Sequence, residues 1–126
     1  MRAVILVENT APPGLEREHG LSVCLEHRGR KVLLDAGHSG KFARNAKKLG
    51  VDLSRVDTAV LSHGHYDHAD GLDVFFALVP NVPVRARPAV LAPQYHGERY
   101  IGLKGELLER YRDRFLLADG PTDLGD

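Results

Sequence analysis

A chain of 126 residues, 43% hydrophobic and 27% charged, suits one globular domain that buries about two thirds of its unfolded surface, and excludes a multidomain machine. Its 17 Lys and Arg balance 17 Asp and Glu, which leaves no basic footprint for nucleic acid or for an anionic membrane. No apolar run approaches the ~20 residues of a membrane span, no signal peptide or anchor is visible, and the lone Cys24 rules out an internal disulfide; a cytoplasmic protein with a small-molecule substrate is the expectation.

Ala3 to Val7 is an apolar run rich in β-branched residues, closed by Pro12, Pro13 and Gly14, and reads as a buried strand followed by a loop. Leu21, Val23 and Leu25 alternate with Ser22, Cys24 and Glu26, the period of a half-buried strand. Arg28-Gly29-Arg30 supplies a turn, and Lys31 to Asp35 returns as the hairpin partner, delivering Asp35 to a small, flexible segment. Ser39 is the expected N-cap of a helix through Leu49, with Phe42, Ala46 and Leu49 inward and Gly50 as its stop. Thr58 to Ser62 is the next strand, and Gly71 to Val79 a short apolar helix ended by Pro80. Val82 to Arg87 reads as a strand, Gly105 to Phe115 as an amphipathic helix with Leu107, Leu108, Tyr111 and Phe115 inward, and Phe115 to Ala118 as a last strand. No repeat or linker marks a domain boundary.

Between the Thr58 strand and the Gly71 helix lies the one compositional oddity, three of the seven histidines within Ser62-His63-Gly64-His65-Tyr66-Asp67-His68. Residues i and i+2 at a strand end point the same way, so His63 and His65 can grip one divalent ion while Asp67 and His68 turn toward the same cavity; Gly64 permits a close backbone approach. Solvated loop histidines are the plain alternative, but this placement has only about one chance in six hundred of arising in a chain of this composition. Neutral imidazoles and carboxylates suit Zn, with Fe or Mn as alternatives.

The motif behind its apolar strand, with Leu33-Leu34-Asp35-Ala36-Gly37 ahead of it, resembles the N-terminal half of the metallo-β-lactamase superfamily from Val4 to about Leu72. Glu18-His19-Gly20-Leu21-Ser22, Asp35 with Ser39-Gly40, Asn45-Ala46 and Leu49-Gly50 are most similar to the branch named for a dihydropterin ribofuranosyl-aminobenzene phosphate synthase; relatives commonly carry Thr where this chain has Ala36. The resemblance implies an α/β fold, the N-terminal half of an αββα sandwich with one or two metal ions along one edge, in a single domain over residues 1–126. It places His63 and His65 on a first metal and Asp67 with His68 on a second. Asp35 becomes a carboxylate behind the ligands, holding a ring N–H or orienting the loop, with turn-capping as its alternative role. Family members are longer, and their later half adds a His to each metal and a carboxylate bridging the two. Here only His96 and Asp119 follow Leu72 as substitutes, and neither has ligand spacing. His19 and His38 lie in loops able to approach the cavity, whereas His27 is expected in solvent.

Two functions compete. One is a metal-dependent hydrolase acting through metal-activated water on an ester or phosphoester, with Asp67 holding a second metal or orienting the water. The other is a truncated, non-catalytic metal-binding or interaction module, because four ligands hold one ion without bridging two. Serine or cysteine hydrolysis is disfavoured, since Cys24 lies mid-strand and no Ser stands in a nucleophile turn. The predicted strands supply little more than one sheet and the predicted helices cover one side, so a homodimer or a separate chain is expected to complete the sandwich.

Overall fold

The computed structural model describes residues 1–124. β1 (Arg2–Val7) pairs antiparallel with β2 (Ser22–His27), and Arg28 and Gly29, both in the left-handed region, turn the chain into β3 (Arg30–Leu34). From there the connections cross over. α1 (Lys41–Lys48) leads to β4 (Thr58–Val60), parallel to β3, and the short α2 (Tyr66–Ala69) with α3 (Leu72–Leu78) leads to β5 (Val84–Ala86), parallel to β4. A small hairpin of β6 (Tyr95–His96) and β7 (Arg99–Tyr100) and then α4 (Gly105–Tyr111) precede β8 (Phe115–Leu117), which closes a six-stranded mixed sheet in the order β1-β2-β3-β4-β5-β8.

Two adjacent rows across this sheet have opposite fates. Val4, Cys24, Leu33, Ala59, Val84 and Phe115 are in register and face the helices, where all but the half-buried Val4 are sealed against Phe42, Phe75, Phe76 and Leu107. One position along, Ile5, Val23, Leu34, Val60, Arg85 and Leu116 are also in register, yet Ile5 is 50% and Leu116 44% exposed and the others only partly buried. On β2, therefore, small Ser22 and Cys24 meet the helices, while the larger Val23 and Leu25 look outward. Strand alternation alone does not distinguish these faces.

Two local expectations are revised. Gly40, not Ser39, is the N-cap of α1; the Ser39 hydroxyl, one residue earlier, donates to Glu18 Oε2 at 2.6 Å and accepts the Lys41 N–H at 3.4 Å. The helix predicted over Gly105 to Phe115 ends at Tyr111, and Arg112–Arg114 form a 3₁₀ turn. That turn lets the Arg114 guanidinium donate to the carbonyls of Phe76, Val79 and Val82, capping the C-terminal end of α3. The hairpin β6–β7 was hidden in sequence by Pro93, the brevity of its strands and the absence of alternation. Among the described residues, no helix is long and apolar enough to cross a membrane.

Candidate metal centre

Backbone hydrogen bonds draw three distant segments to the C-terminal end of β3 and β4. Asp35 N–H donates to Val60 O, Ala36 N–H to His68 O, Gly37 N–H to Leu21 O and Gly71 N–H to Gly37 O, at 2.8 to 3.0 Å. These approaches need glycine. A Cβ on Gly71 would stand 2.0 Å from Ala36 O, one on Gly20 2.2 Å from Asp67 O, and one on Gly64 2.7 Å from Val90 O.

Asp35 occupies the left-handed region, φ 56°, a conformation that Asp tolerates better than most side chains. Its carboxylate is buried and fully engaged: Oδ1 accepts the Ser62 N–H at 2.7 Å, and Oδ2 accepts the Ser62 hydroxyl at 2.6 Å and lies 2.7 Å from His68 Nδ1. An ionised carboxylate only accepts, so His68 carries its proton on Nδ1. Ser62 Oγ also lies 2.8 Å from His63 Nδ1. Because its own hydrogen points at Asp35, the serine oxygen accepts there, and His63 too is protonated on Nδ1. Both rings thereby turn an Nε2 lone pair away from Asp35, the tautomer a metal ligand needs.

Asp35, His63 and His68 each offer one ligand atom, all within 4.8 Å of one another, a group able to hold a metal ion. The His63 ring centre lies 4.2 Å from that of His68 and 4.7 Å from that of His65, which stands at the N-cap of α2. Burial lowers the pKa of His63 below its ordinary value, and the neighbouring His68 and His65 lower it further, so the neutral, ligating form is favoured. Asp67, in the first turn of α2, places Oδ2 3.7 Å from His68 Nε2 and 3.1 Å from His19 Nε2. Borderline divalent d-block cations are suited by this donor set of imidazoles and carboxylates.

The five residues singled out in sequence, Asp35, His63, His65, Asp67 and His68, thus lie together, with the Asp35 carboxylate against the Nδ1 side of His68. His19 reaches the cluster through Asp67, and His38 packs edge-on against Tyr66 at 4.9 Å. His27 is exposed at the opposite end of β2, His96 is exposed on β6, and Asp119 is exposed beside Arg87. Sequence reasoning missed Ser62, whose role depends on where the Asp35 carboxylate falls. It also missed Glu18, which accepts the N–H groups of His38 and Ser39 and fixes the loop beside the cluster. The Glu18-His19-Gly20 run was the available signal.

Known proteins resemble this chain in sequence and fold. The chain is 39% identical to the uncharacterised protein MJ0448 of Methanocaldococcus jannaschii over 83% of its own length and 41% of that protein. It is 27% identical to the 7,8-dihydropterin-6-methyl-4-(beta-D-ribofuranosyl)-aminobenzene-5'-phosphate synthase of the same organism, over 85% of this chain and 41% of the enzyme. The crystal structure of Tm1679, a metal-dependent hydrolase of the beta-lactamase superfamily, superposes with a TM-score of 0.73 at 33% identity, covering 98% of this chain and 44% of that one. The chain spans about two fifths of the length of the curated relatives it matches. With the sequence profile of the metallo-beta-lactamase superfamily matching residues 15–126, and this mixed sheet matching a solved member, the chain belongs to that superfamily.

Proposed function

We propose that this chain provides the metal-binding edge of a hydrolase acting on an ester or phosphoester-type small molecule, a pterin-related compound being the reading its relative's name suggests. The observation that carries it is the Asp35 carboxylate, which through His68 directly and through Ser62 to His63 aims two Nε2 lone pairs at one space. His63 and His65, with Asp67 and His68, would hold one or two divalent ions, Zn first and Fe or Mn next. Such an ion, when bound, lowers the pKa of water toward 7 and polarises the scissile group. Asp67, its Oδ2 facing His19 and His68, either completes that ligand set or orients the attacking water. A reducing, cytoplasmic setting is supported by Cys24, buried and unpaired.

A metal-binding module without turnover is the competing reading, favoured by a tight group that, among the described residues, holds one carboxylate, Asp35, already engaged by Ser62 and His68. Metal content and hydrolysis of phosphodiester and ester test substrates separate the two. The hydrolase reading expects weak turnover that disappears with chelator and in Asp67→Ala, and metal content that collapses in His63→Ala/His65→Ala. Metal bound at wild-type stoichiometry by the double variant would overturn the site itself. Metal bound normally, with no turnover on any test substrate, would leave the module.

We further propose that the open sheet face is covered by a complementary half-sandwich, either a second copy or a separate chain. The in-register row Ile5, Val23, Leu34, Val60, Arg85 and Leu116, apolar at every position but Arg85, supports it, since one sheet face left largely apolar and uncovered is costly in water. Sedimentation at several concentrations tests the homodimer. A monomer at every concentration that binds no hydrophobic dye would show that the face needs no cover.

A further inference from the structure

We propose that Arg99 is the anion-recognition group on the substrate side of the cluster, and that the ligand it takes carries a phosphate. This rests on the reading of the His63 to His68 edge as a substrate-processing site, and names the charge its substrate bears.

The hairpin that carries Arg99 is fastened to the motif by main chain. Tyr66 N–H donates to Ile101 O and Ile101 N–H to Gln94 O, both at 2.9 Å, while Gln94 and Val90 lie against Gly64. Gly97, at φ 62°, makes the turn that sends β7 back toward Tyr66. Arg99 Nη2 then donates to the Tyr66 hydroxyl at 3.1 Å, and its guanidinium carbon sits 5.5 Å from the centre of the Tyr66 ring. Tyr66 stands between His65 and Asp67 in sequence, so the residue that holds this fixed positive charge belongs to the motif itself.

Arg99 is set apart by its place, held against a residue of the motif itself. Arg2, Arg44 and Arg87 face Glu26, Glu16 and Asp119, which neutralise them. Arg99 is held by a neutral phenol, and among the described residues no carboxylate pairs with it. One of its N–H groups is used in positioning; the rest of the planar fork remains available, in a geometry that matches two oxygens of a phosphate. His38 also packs edge-on against the same tyrosine, its backbone N–H pinned by Glu18. A phosphate taken by the Arg99 fork would have Tyr66, and through it His38, as neighbours.

The test titrates inorganic phosphate into the chain at pH 8, followed by NMR at the Arg99 side chain and the Tyr66 ring, with acetate as a control anion. Wild type should show saturable shifts at both residues with phosphate and much smaller ones with acetate. Arg99→Ala should weaken binding by about tenfold or more, and Arg99→Lys should restore only part of it, since the ammonium lacks the fork. His63→Ala/His65→Ala should keep the Arg99-dependent shift even after losing metal, which separates this proposal from the metal assignment. Phosphate binding unchanged in Arg99→Ala, no shift at Tyr66, or an equal response to acetate would each overturn it.

Discussion

The hydroxyl oxygen of Ser62 lies 2.6 Å from Oδ2 of Asp35 and its amide nitrogen 2.7 Å from Oδ1, so the serine closes on both oxygens of a single buried carboxylate. The neighbouring His63 and the later His68 are consequently oriented by one acid. Asp35→Asn retains the left-handed backbone, which Asn also tolerates, and retains one acceptor oxygen, but places an amide where two donors converge. Metal affinity should fall by about ten- to a hundredfold in a chelator competition, with a smaller loss in Ser62→Ala, where only His63 is released. Wild-type affinity in Asp35→Asn would show that the carboxylate does not set the ring tautomers.

Gly20 has φ 146° and no room for a side chain beside Asp67 O. Gly20→Ala should cost about 3 kcal/mol by the denaturant midpoint and reduce metal binding with it, since Asp67 must shift. Gly14→Ala is the matched control: it also has positive φ, but nothing lies within 4 Å of its Cβ, so backbone strain of about 1 kcal/mol should be its whole effect. Equal losses at the two positions would mean that the contact with Asp67 is not tight.

Burial raises the Asp70 carboxyl above its ordinary value, although Lys104, whose N–H it accepts at 2.9 Å, pulls the other way. The folded state then binds this proton more tightly than the unfolded state does. Stability contributed by the protonated acid is present at low pH and is lost as pH rises from the unfolded carboxyl value through the higher folded one. Asp70→Asn keeps the acceptor and removes the charge. Relative to wild type it should gain stability across that acidic window and hold the gain at neutral pH, as read by thermal melts at stepped pH. A variant less stable at pH 7 than at pH 3, relative to wild type, would contradict the burial argument.

Arg114 lies over the Phe76 ring with its guanidinium carbon 4.6 Å from the ring centre while donating to three carbonyls at the end of α3 and in the turn beyond it. Arg114→Met fills the apolar path but strands those acceptors. A loss of about 2 to 3 kcal/mol is expected, with Arg114→Lys intermediate because a single ammonium cannot span Phe76, Val79 and Val82 together. Chemical denaturation measures both. A neutral Met variant would assign the carbonyls to water.

What the sequence made legible was what is local in it. His63, His65, Asp67 and His68 sit within one turn of chain, so their spacing alone brought them together, and the strands and helices around them follow from period and punctuation. Asp35 required a family resemblance, because its partners lie 27 and 33 residues away. Ser22 and Cys24 looked like the outer face of a strand and proved to be the helix-packed face, since polarity ranks Val23 and Leu25 as more buried and only a second layer of protein would make them so. The Arg99 hairpin escaped because two-residue strands have no period, and Ser39 misled because the helix begins one residue later than a capping serine there would have it.

The main-chain weave among Leu21, Gly37, Ala36, His68 and Gly71 has a bearing on how this edge can change over time. Carbonyls and amides are common to every residue, so substitutions in the surrounding side chains leave the crossing strands of the weave intact, and drift can retune what the rim recognises without disturbing where the histidines stand. The bonds of the weave run between main-chain groups and pass through no ligating side chain. In a metal-free sample the amides of Ala36, Gly37 and Gly71 should therefore exchange with deuterium at rates near those of the β3 and β4 interior rather than those of ordinary loops, which marks the edge as a rigid frame awaiting its ligands.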